Sequence, residues 1–343
     1  MKTFDLKSLC PAQIAARIPG TRVLLVGDLC LDYYLYADMR MSRLSRETPH
    51  YPLPVVREAA SPGGGGNVLM NLAALGGQVK AVSVLGKDWR GDLLTSALEK
   101  GGVDLSFVAK SERRVTNAYV KPMRMGISDA VYEDPRLDFE NREPLSAADE
   151  EALLSALSEA AEEADIVAVA DQMEHGVVTE RVIDALADIA KMKPVVVDSR
   201  SRFSSFVGRG FLLKPNEVEA AAALGREVPE DDMAAYEEMG RALAEKNGQA
   251  VPVTLGPRGC LWCEAGEVTH IPTVPAEPPV DTVGAGDTFL SAFVSAFGAG
   301  VPGAEAAAFA NLASGVTVKK LQTTGTASPE EIITLFESRV RQV

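Results

Sequence analysis

The residues best suited to chemistry lie close together in "DTVGAGDTF", residues 281–289. Gly284, Ala285 and Gly286 carry almost no bulk, so the backbone can turn tightly there and aim successive N–H groups at one point, an anion-binding nest. An apolar helical run follows at once, and the positive end of a helix starting near Asp287 would face the same point. Such a nest suits the oxygens of a phosphoryl group in transfer. Asp287, at the helix start, is expected to stay ionised in that field and to accept a proton from a hydroxyl. Phosphoryl transfer asks mainly for positioning and charge stabilisation, with one carboxylate orienting the nucleophile. The plainer alternative is a helix merely capped by Asp287.

The elements around this turn alternate between strand and helix patterns. The runs 21–28, 79–86, 165–171, 193–199, 211–216 and 250–256 read as strands, with a hairpin over 259–274. Helical patterns cover 66–77, 88–102, 146–163, 178–191, 216–224, 286–298, 303–320 and 328–341. Repeated βα units predict a doubly wound, mostly parallel sheet of the α/β class, with ligands at the carboxyl ends of its strands. Two segments, 33–62 and 113–142, lack helix signals and carry short alternating runs, which predicts antiparallel strands. Paired together they would form a small β-sheet lid on the ligand side, or else surface decoration. No repeat or linker interrupts residues 1–343, which read as a single domain.

Composition narrows the partners. The chain has 343 residues, 46% hydrophobic and 24% charged, with a formal net charge of −14. Diffuse acidity argues against nucleic acid or an anionic membrane as partner. Four cysteines, Cys10, Cys30, Cys260 and Cys263, make no disulfide framework, so a cytoplasmic location is expected. "CLWC" (260–263) has redox or zinc spacing, but no second Cys/His pair accompanies it, and two packing cysteines are the simpler reading. The first twenty residues lack the pattern of a secretory signal, and the apolar run 288–303 falls short of a membrane span.

"DTVGAGDTF" resembles the C-terminal signature of the PfkB/ribokinase family of carbohydrate kinases, and "SPGGGGNVLMNLAALGG" (61–77) resembles its N-terminal signature. The resemblance covers essentially the whole chain. It implies a ribokinase-like fold and an ATP-dependent sugar kinase needing Mg²⁺. Asp287 would be the catalytic base, and the amides of Gly284, Ala285 and Gly286 the anion hole. Asp32, in "GDLCLDYY", would accept sugar hydroxyls, whereas Asp28 would either join it or tie down backbone. Gly63 and Gly64 would form the hinge where the lid rejoins the core, and Asn67 a sugar-binding amide. Asn216 and Glu219 match the family's N-x-x-E motif, which places Mg²⁺ and the nucleotide phosphates largely through water. Thr254, Gly256 and Gly259 would border the nucleotide, and Asn311 its adenine.

Within the family, "VGDLCLDYY", "SRETPHYPLPVV" (45–56), "RLDFEN" (136–141), "VAD" (169–171) and "KPNEVEA" are similar to the heptose-7-phosphate kinase group. That likeness implies Arg136 and Asp171 as acceptor ligands. A phosphorylated acceptor needs cations, and the lid segments carry Arg43, Arg46, Lys121, Arg124 and Arg136, as an anion clamp or as a charge-balanced surface. "DSRSRF" (198–203) and "DQMEHG" (171–176) depart from the group near the acceptor, where Arg200 and Arg202 could stand in for a lysine. Within residues 1–343 no nucleotidyltransferase sequence is expected, unlike in many bifunctional relatives. A kinase for an unphosphorylated sugar or nucleoside therefore stays open, as does a non-catalytic sensor. Dependence on a monovalent cation is undecided, and a homodimer through the lid is expected.

Overall fold

The computed structural model describes residues 1–126, 128, 130–321 and 325–341. The strands in chain order begin with β1 (Lys2–Thr3), β2 (Arg22–Gly27), β3 (Leu29–Asp38), β4 (Val55–Gly64) and β5 (Gln78–Gly86). Then come β6 (Asp104–Ser111), β7 (Asn117–Met125), β8 (Tyr132–Glu133), β9 (Leu137–Phe139) and β10 (Ile166–Asp171). The last are β11 (Val195–Ser199), β12 (Leu212–Leu213), β13 (Val251–Thr254), β14 (Cys260–Glu264) and β15 (Glu267–Ile271). The helices are α1 (Pro11–Arg17), α2 (Gly65–Ala74), α3 (Trp89–Lys100), α4 (Ala147–Glu163) and α5 (Glu180–Ala190). They continue with α6 (Glu217–Leu224), α7 (Met233–Asn247), α8 (Ala285–Gly298), α9 (Gly303–Thr317) and α10 (Pro329–Phe336).

The central sheet runs β12-β11-β10-β2-β5-β6 and every pairing in it is parallel. Five of its strands are largely buried on both faces, which is why they read as apolar runs, whereas the edge strand β6, DLSFVAKS, is half-exposed and has no such run, so the sequence patterns did not mark it. Val23 and Leu25 of β2 join one core layer with α2, α8 and α9; Leu24 and Val26 join the other with α4, α5 and α7. A four-stranded sheet, β1-β15-β14-β13, extends the core beside β12. Cys260 and Cys263 of β14 fall in opposite core layers, as strand residues three apart must, and both thiols are free. That geometry excludes a shared zinc or a disulfide and leaves the packing role.

The third sheet lies apart, in the order β4-β3-β7-β8 with β9 also on β7. The expected antiparallel pairing holds for β3–β4, β7–β8 and β7–β9, but the central pair, β3–β7, is parallel. β3 follows β2 with only Asp28 between them, and β7 comes soon after β6, so both leave the same end of a parallel sheet. The sheet also takes in Leu29–Asp32 and Gly63–Gly64, beyond the predicted segment 33–62. Two helices escaped the sequence reading, the short α1 and α7. Among the described residues no helix is long and apolar enough to cross a membrane.

Candidate active site

α8 begins at Ala285, and Gly284 is its N-cap with φ of 79°, a left-handed conformation that glycine adopts without strain. Asp287 is therefore the third helical residue, and its side chain makes no capping bond. The glycine turn differs from expectation in one donor. The Ala285 amide closes the turn onto the Thr282 carbonyl at 3.2 Å, leaving the Gly284 and Gly286 amides without a described acceptor.

α2 packs across α8 and fixes the carboxylate. Ser291 Oγ donates to the Val68 carbonyl at 3.0 Å, and Thr288 Oγ1 to Asn71 Oδ1 at 3.2 Å. Asn71 Nδ2 in turn donates to the Asn67 carbonyl at 3.0 Å, and Asn67 Nδ2 donates to Asp287 Oδ2 at 2.7 Å. One of the two N–H groups of the Asn67 amide expected to meet sugar is thus engaged by Asp287. Asp287 keeps some surface on the cleft, but protein packs round the carboxylate and this desolvation pushes its pKa up to about 7. The Asn67 bond and Lys214 favour its charge, while Asp198 and Asp32 disfavour it. Full ionisation under the helix field is therefore corrected: desolvation and like charges outweigh that field.

Lys214 and Asp198 were not singled out in the sequence. Asp198 is the last but one residue of β11 and Lys214 follows β12; their side chains lie 3.2 Å apart and are almost wholly buried. Burial opposes the Lys214 charge, but Asp198, Glu219 and Asp287 outweigh it and raise its pKa. Lys214 Nζ stands 3.9 Å from where a Cβ on Gly286 would lie, directly under the glycine turn. Charged residues closing the apolar runs "VVVDS" and "FLLK" were the available signal.

Asn216 and Glu219 form a complete capping box on α6. Asn216 Oδ1 accepts from the Val218 and Glu219 amides, both at 2.9 Å, and Glu219 Oε2 accepts from the Asn216 amide at 2.8 Å. Both residues line a cleft of about 720 Å³ with Lys214, Gly286 and Asp287. Thr254, Gly256, Gly259 and Asn311 line the same cleft. Gly259 has φ of 89°, and a Cβ there would lie 2.1 Å from the Ile271 carbonyl oxygen, so no other residue fits. Asn311 donates to that carbonyl at 3.1 Å.

On the side sheet, Asp32 is buried and pairs with Lys121 at 2.9 Å. Gly63 gives it room: a Cβ there would stand 2.8 Å from both Asp32 Oδ2 and Cys30 Sγ. Gly64, φ 54°, is the N-cap of α2. Asp171 is placed differently from expectation. Its oxygens are taken by Ser199 Oγ, 2.6 Å away, and by the Arg202 guanidinium, so it braces neighbouring strand ends and is closed to an acceptor. Arg202 is spent in the same pair, whereas Arg200 lines the cleft without a described side-chain partner. Asp28 resolves as a backbone tie: it accepts from the amides of Gln172, Met173 and Val177 at 2.9, 2.9 and 2.7 Å. Burial pushes its pKa up to about 6 against those three bonds.

The basic cluster of the side sheet is mostly neutralised. Arg124 pairs with Asp134 and Arg136 with Asp138, both at 2.6 Å, and Arg136 stacks 4.1 Å above the Tyr119 ring. Arg43 and Arg46 have no described partner but sit in the loop beyond the outer end of β3. Asp32 is about 20 Å of strand from Asp38 at that end, at the usual rise of roughly 3.3 Å per residue.

Solved structures share this arrangement of sheets and helices. Phosphofructokinase-2 from Escherichia coli in complex with substrates and products matches with a TM-score of 0.75 and 21% identity, over 93% of this chain and 99% of the other. Arabidopsis thaliana ribokinase complexed with ribose and ATP matches with a TM-score of 0.69 and 22% identity, over 92% and 99%. The fold is ribokinase-like. Residues 21–331 match the pfkB family carbohydrate kinase model, and the chain belongs to that family. Among curated relatives, bifunctional protein HldE of Trichlorobacter lovleyi is 38% identical over 322 residues, and that of Geobacter metallireducens 36% over 313. These alignments take in 92% and 90% of this chain but only 63% and 62% of the relatives' length.

Proposed function

We propose that the chain transfers the γ-phosphate of ATP to a hydroxyl of a sugar phosphate, of the heptose 7-phosphate type. The observation that carries this reading is Asp287, held by Asn67 where the cleft meets the side sheet, with Lys214 and the glycine turn beside it. The cleft takes the nucleotide and Asp32 the acceptor's hydroxyls. Asp287 accepts the proton of the attacking hydroxyl, and Lys214 with the Gly284 and Gly286 amides meets the charge on the phosphoryl oxygens. No cluster of His, Cys, Asp and Glu among the described residues could hold a metal by itself. Glu219, with one oxygen committed to Asn216, suits a hydrated Mg²⁺ brought in with the nucleotide phosphates, where it supplies charge neutralisation. The side sheet then acts as a lid that excludes water. Its exposed Met41, Leu44, Tyr51 and Val56 fit a lid-to-lid homodimer, which sedimentation would check.

The HldE relatives and the sequence motifs support the heptose choice. A second reading, an unphosphorylated acceptor, is favoured by the pairing of Lys121, Arg124 and Arg136 with carboxylates. ADP release with Mg-ATP against heptose 7-phosphate, fructose 1- and 6-phosphate, ribose, fructose and adenosine separates the two. Selective turnover of a phosphorylated sugar upholds the proposal; turnover of neutral sugars alone replaces it with the second reading.

The pH profile is a further expectation. A base with its pKa raised to about 7 is protonated, hence inactive, below that pH. kcat/KM should fall about tenfold per unit on the acid side and level off above pH 7. An acid limb centred near pH 4 would show that Asp287 is not the titrating base.

A further inference from the structure

Lys121 stands opposite Tyr34 in the parallel β3–β7 register, and Tyr119 opposite Asp32, which puts all four on one face of the side sheet. From there Lys121 Nζ reaches back to Asp32 Oδ1 at 2.9 Å and to Tyr34 Oη at 3.3 Å, and lies 4.8 Å from the Tyr34 ring centroid. The pair is shielded: the side chains are 14% and 9% exposed. Asp32 is thus held from β7 by charge, while β4 leaves it room at Gly63. Ser61, opposite Asp32 in the β3–β4 register, keeps a buried hydroxyl with no described partner. Asp32 and Ser61 therefore offer hydrogen-bonding capacity on this face, while the Lys121 charge is already engaged.

We propose that Lys121 is a positioning residue, the counter-ion that orients Asp32 toward the acceptor's hydroxyls, and not a ligand of the acceptor's phosphate. This rests on the kinase reading above. An isolated carboxylate in so shielded a place is costly and turns toward whatever cation or water it can find. A lysine on the neighbouring strand fixes which oxygen faces the ligand. The recognition it supports belongs to the hydroxyls, so it is blind to whether a phosphate is present elsewhere on the sugar.

The test compares wild type, Lys121→Met, Asp32→Asn and the double variant, using heptose 7-phosphate and the free heptose as acceptors. Lys121→Met should raise KM for both by the same factor, about tenfold for one charge-assisted hydrogen bond, with kcat changed much less. In the Asp32→Asn background it should add less than about twofold, and Lys121→Arg should recover part of the loss. A KM rise confined to the phosphorylated sugar, or effects that multiply in the double variant, overturns the proposal. If wild type turns over neither sugar, the kinase assignment for these acceptors fails, and thermal unfolding still tests the pair. Lys121→Met should lower Tm and the added Asp32→Asn restore it, whereas two independent losses overturn the pairing.

Discussion

Asp287→Asn is expected to lower kcat by roughly 10²–10⁴-fold, the usual worth of a positioned base, with nucleotide affinity nearly unchanged. The substitution is almost isosteric, and the new carboxamide oxygen still accepts from Asn67 Nδ2, so the α2–α8 contact that holds the site persists. Lys214 and the amides of the glycine turn also remain, so the phosphates keep their partners. What disappears is the group proposed to take the hydroxyl proton. Stability should not suffer, because a carboxylate desolvated enough to titrate near 7 is replaced by a neutral side chain. Single-turnover measurements with tightly bound ATP would isolate the chemical step. Near-normal turnover in this variant would remove Asp287 from the mechanism.

Lys214→Met has the second large effect, and it reaches both folding and rate. Asp198 would be left buried without its cation, which costs about 3–5 kcal/mol when one partner of a buried pair is removed. Turnover should fall as well, by about 10²–10³-fold if the ammonium meets charge developing on the phosphoryl oxygens. Adding Asp198→Asn separates the two consequences. The double variant should regain most of the lost Tm, since the buried Asp198 charge that paired directly with Lys214 is gone as well, yet stay slow. Recovery of rate together with stability would mean that Lys214 only holds the fold.

The parts of this protein legible in its sequence are those fixed by local backbone demands. The glycines of "VGAGD" announce a tight turn because only small residues permit it, and the apolar run behind them announces α8. The inner parallel strands show as apolar runs because both their faces are buried, while the half-exposed edge strand β6 shows no such run. What stayed hidden are pairings between distant segments. Asp171 looks available at a strand end until Ser199 and Arg202, about thirty residues on, close over it. Lys214 looks like a surface lysine until Asp198 is found beneath it. The arginines of the side-sheet segments form a cluster on paper, but Arg124 meets Asp134, ten residues on, across the β7 hairpin, and Arg136 meets Asp138, two residues on. The parallel β3–β7 pair was missed for the same reason: strand direction depends on where each chain segment leaves the core.

β2 ends at Gly27 in the central sheet, and β3 begins at Leu29 in the side sheet, so the two strands are one rod with Asp28 at the joint. That joint is anchored: the Asp28 amide donates to the Ala170 carbonyl at 2.9 Å, its carbonyl accepts from Gly65 at 2.8 Å, and its side chain holds three more amides. Any tilt of the side sheet therefore works as a lever with a fixed fulcrum. Asp32 lies about 13 Å out along the arm and Asp38 about 33 Å, at roughly 3.3 Å per residue. A tilt of about 10° would carry the tip some ~6 Å but Asp32 only ~2 Å. In the proposed reaction, the outer edge would sweep open for a sugar to enter while Asp32 scarcely leaves its post.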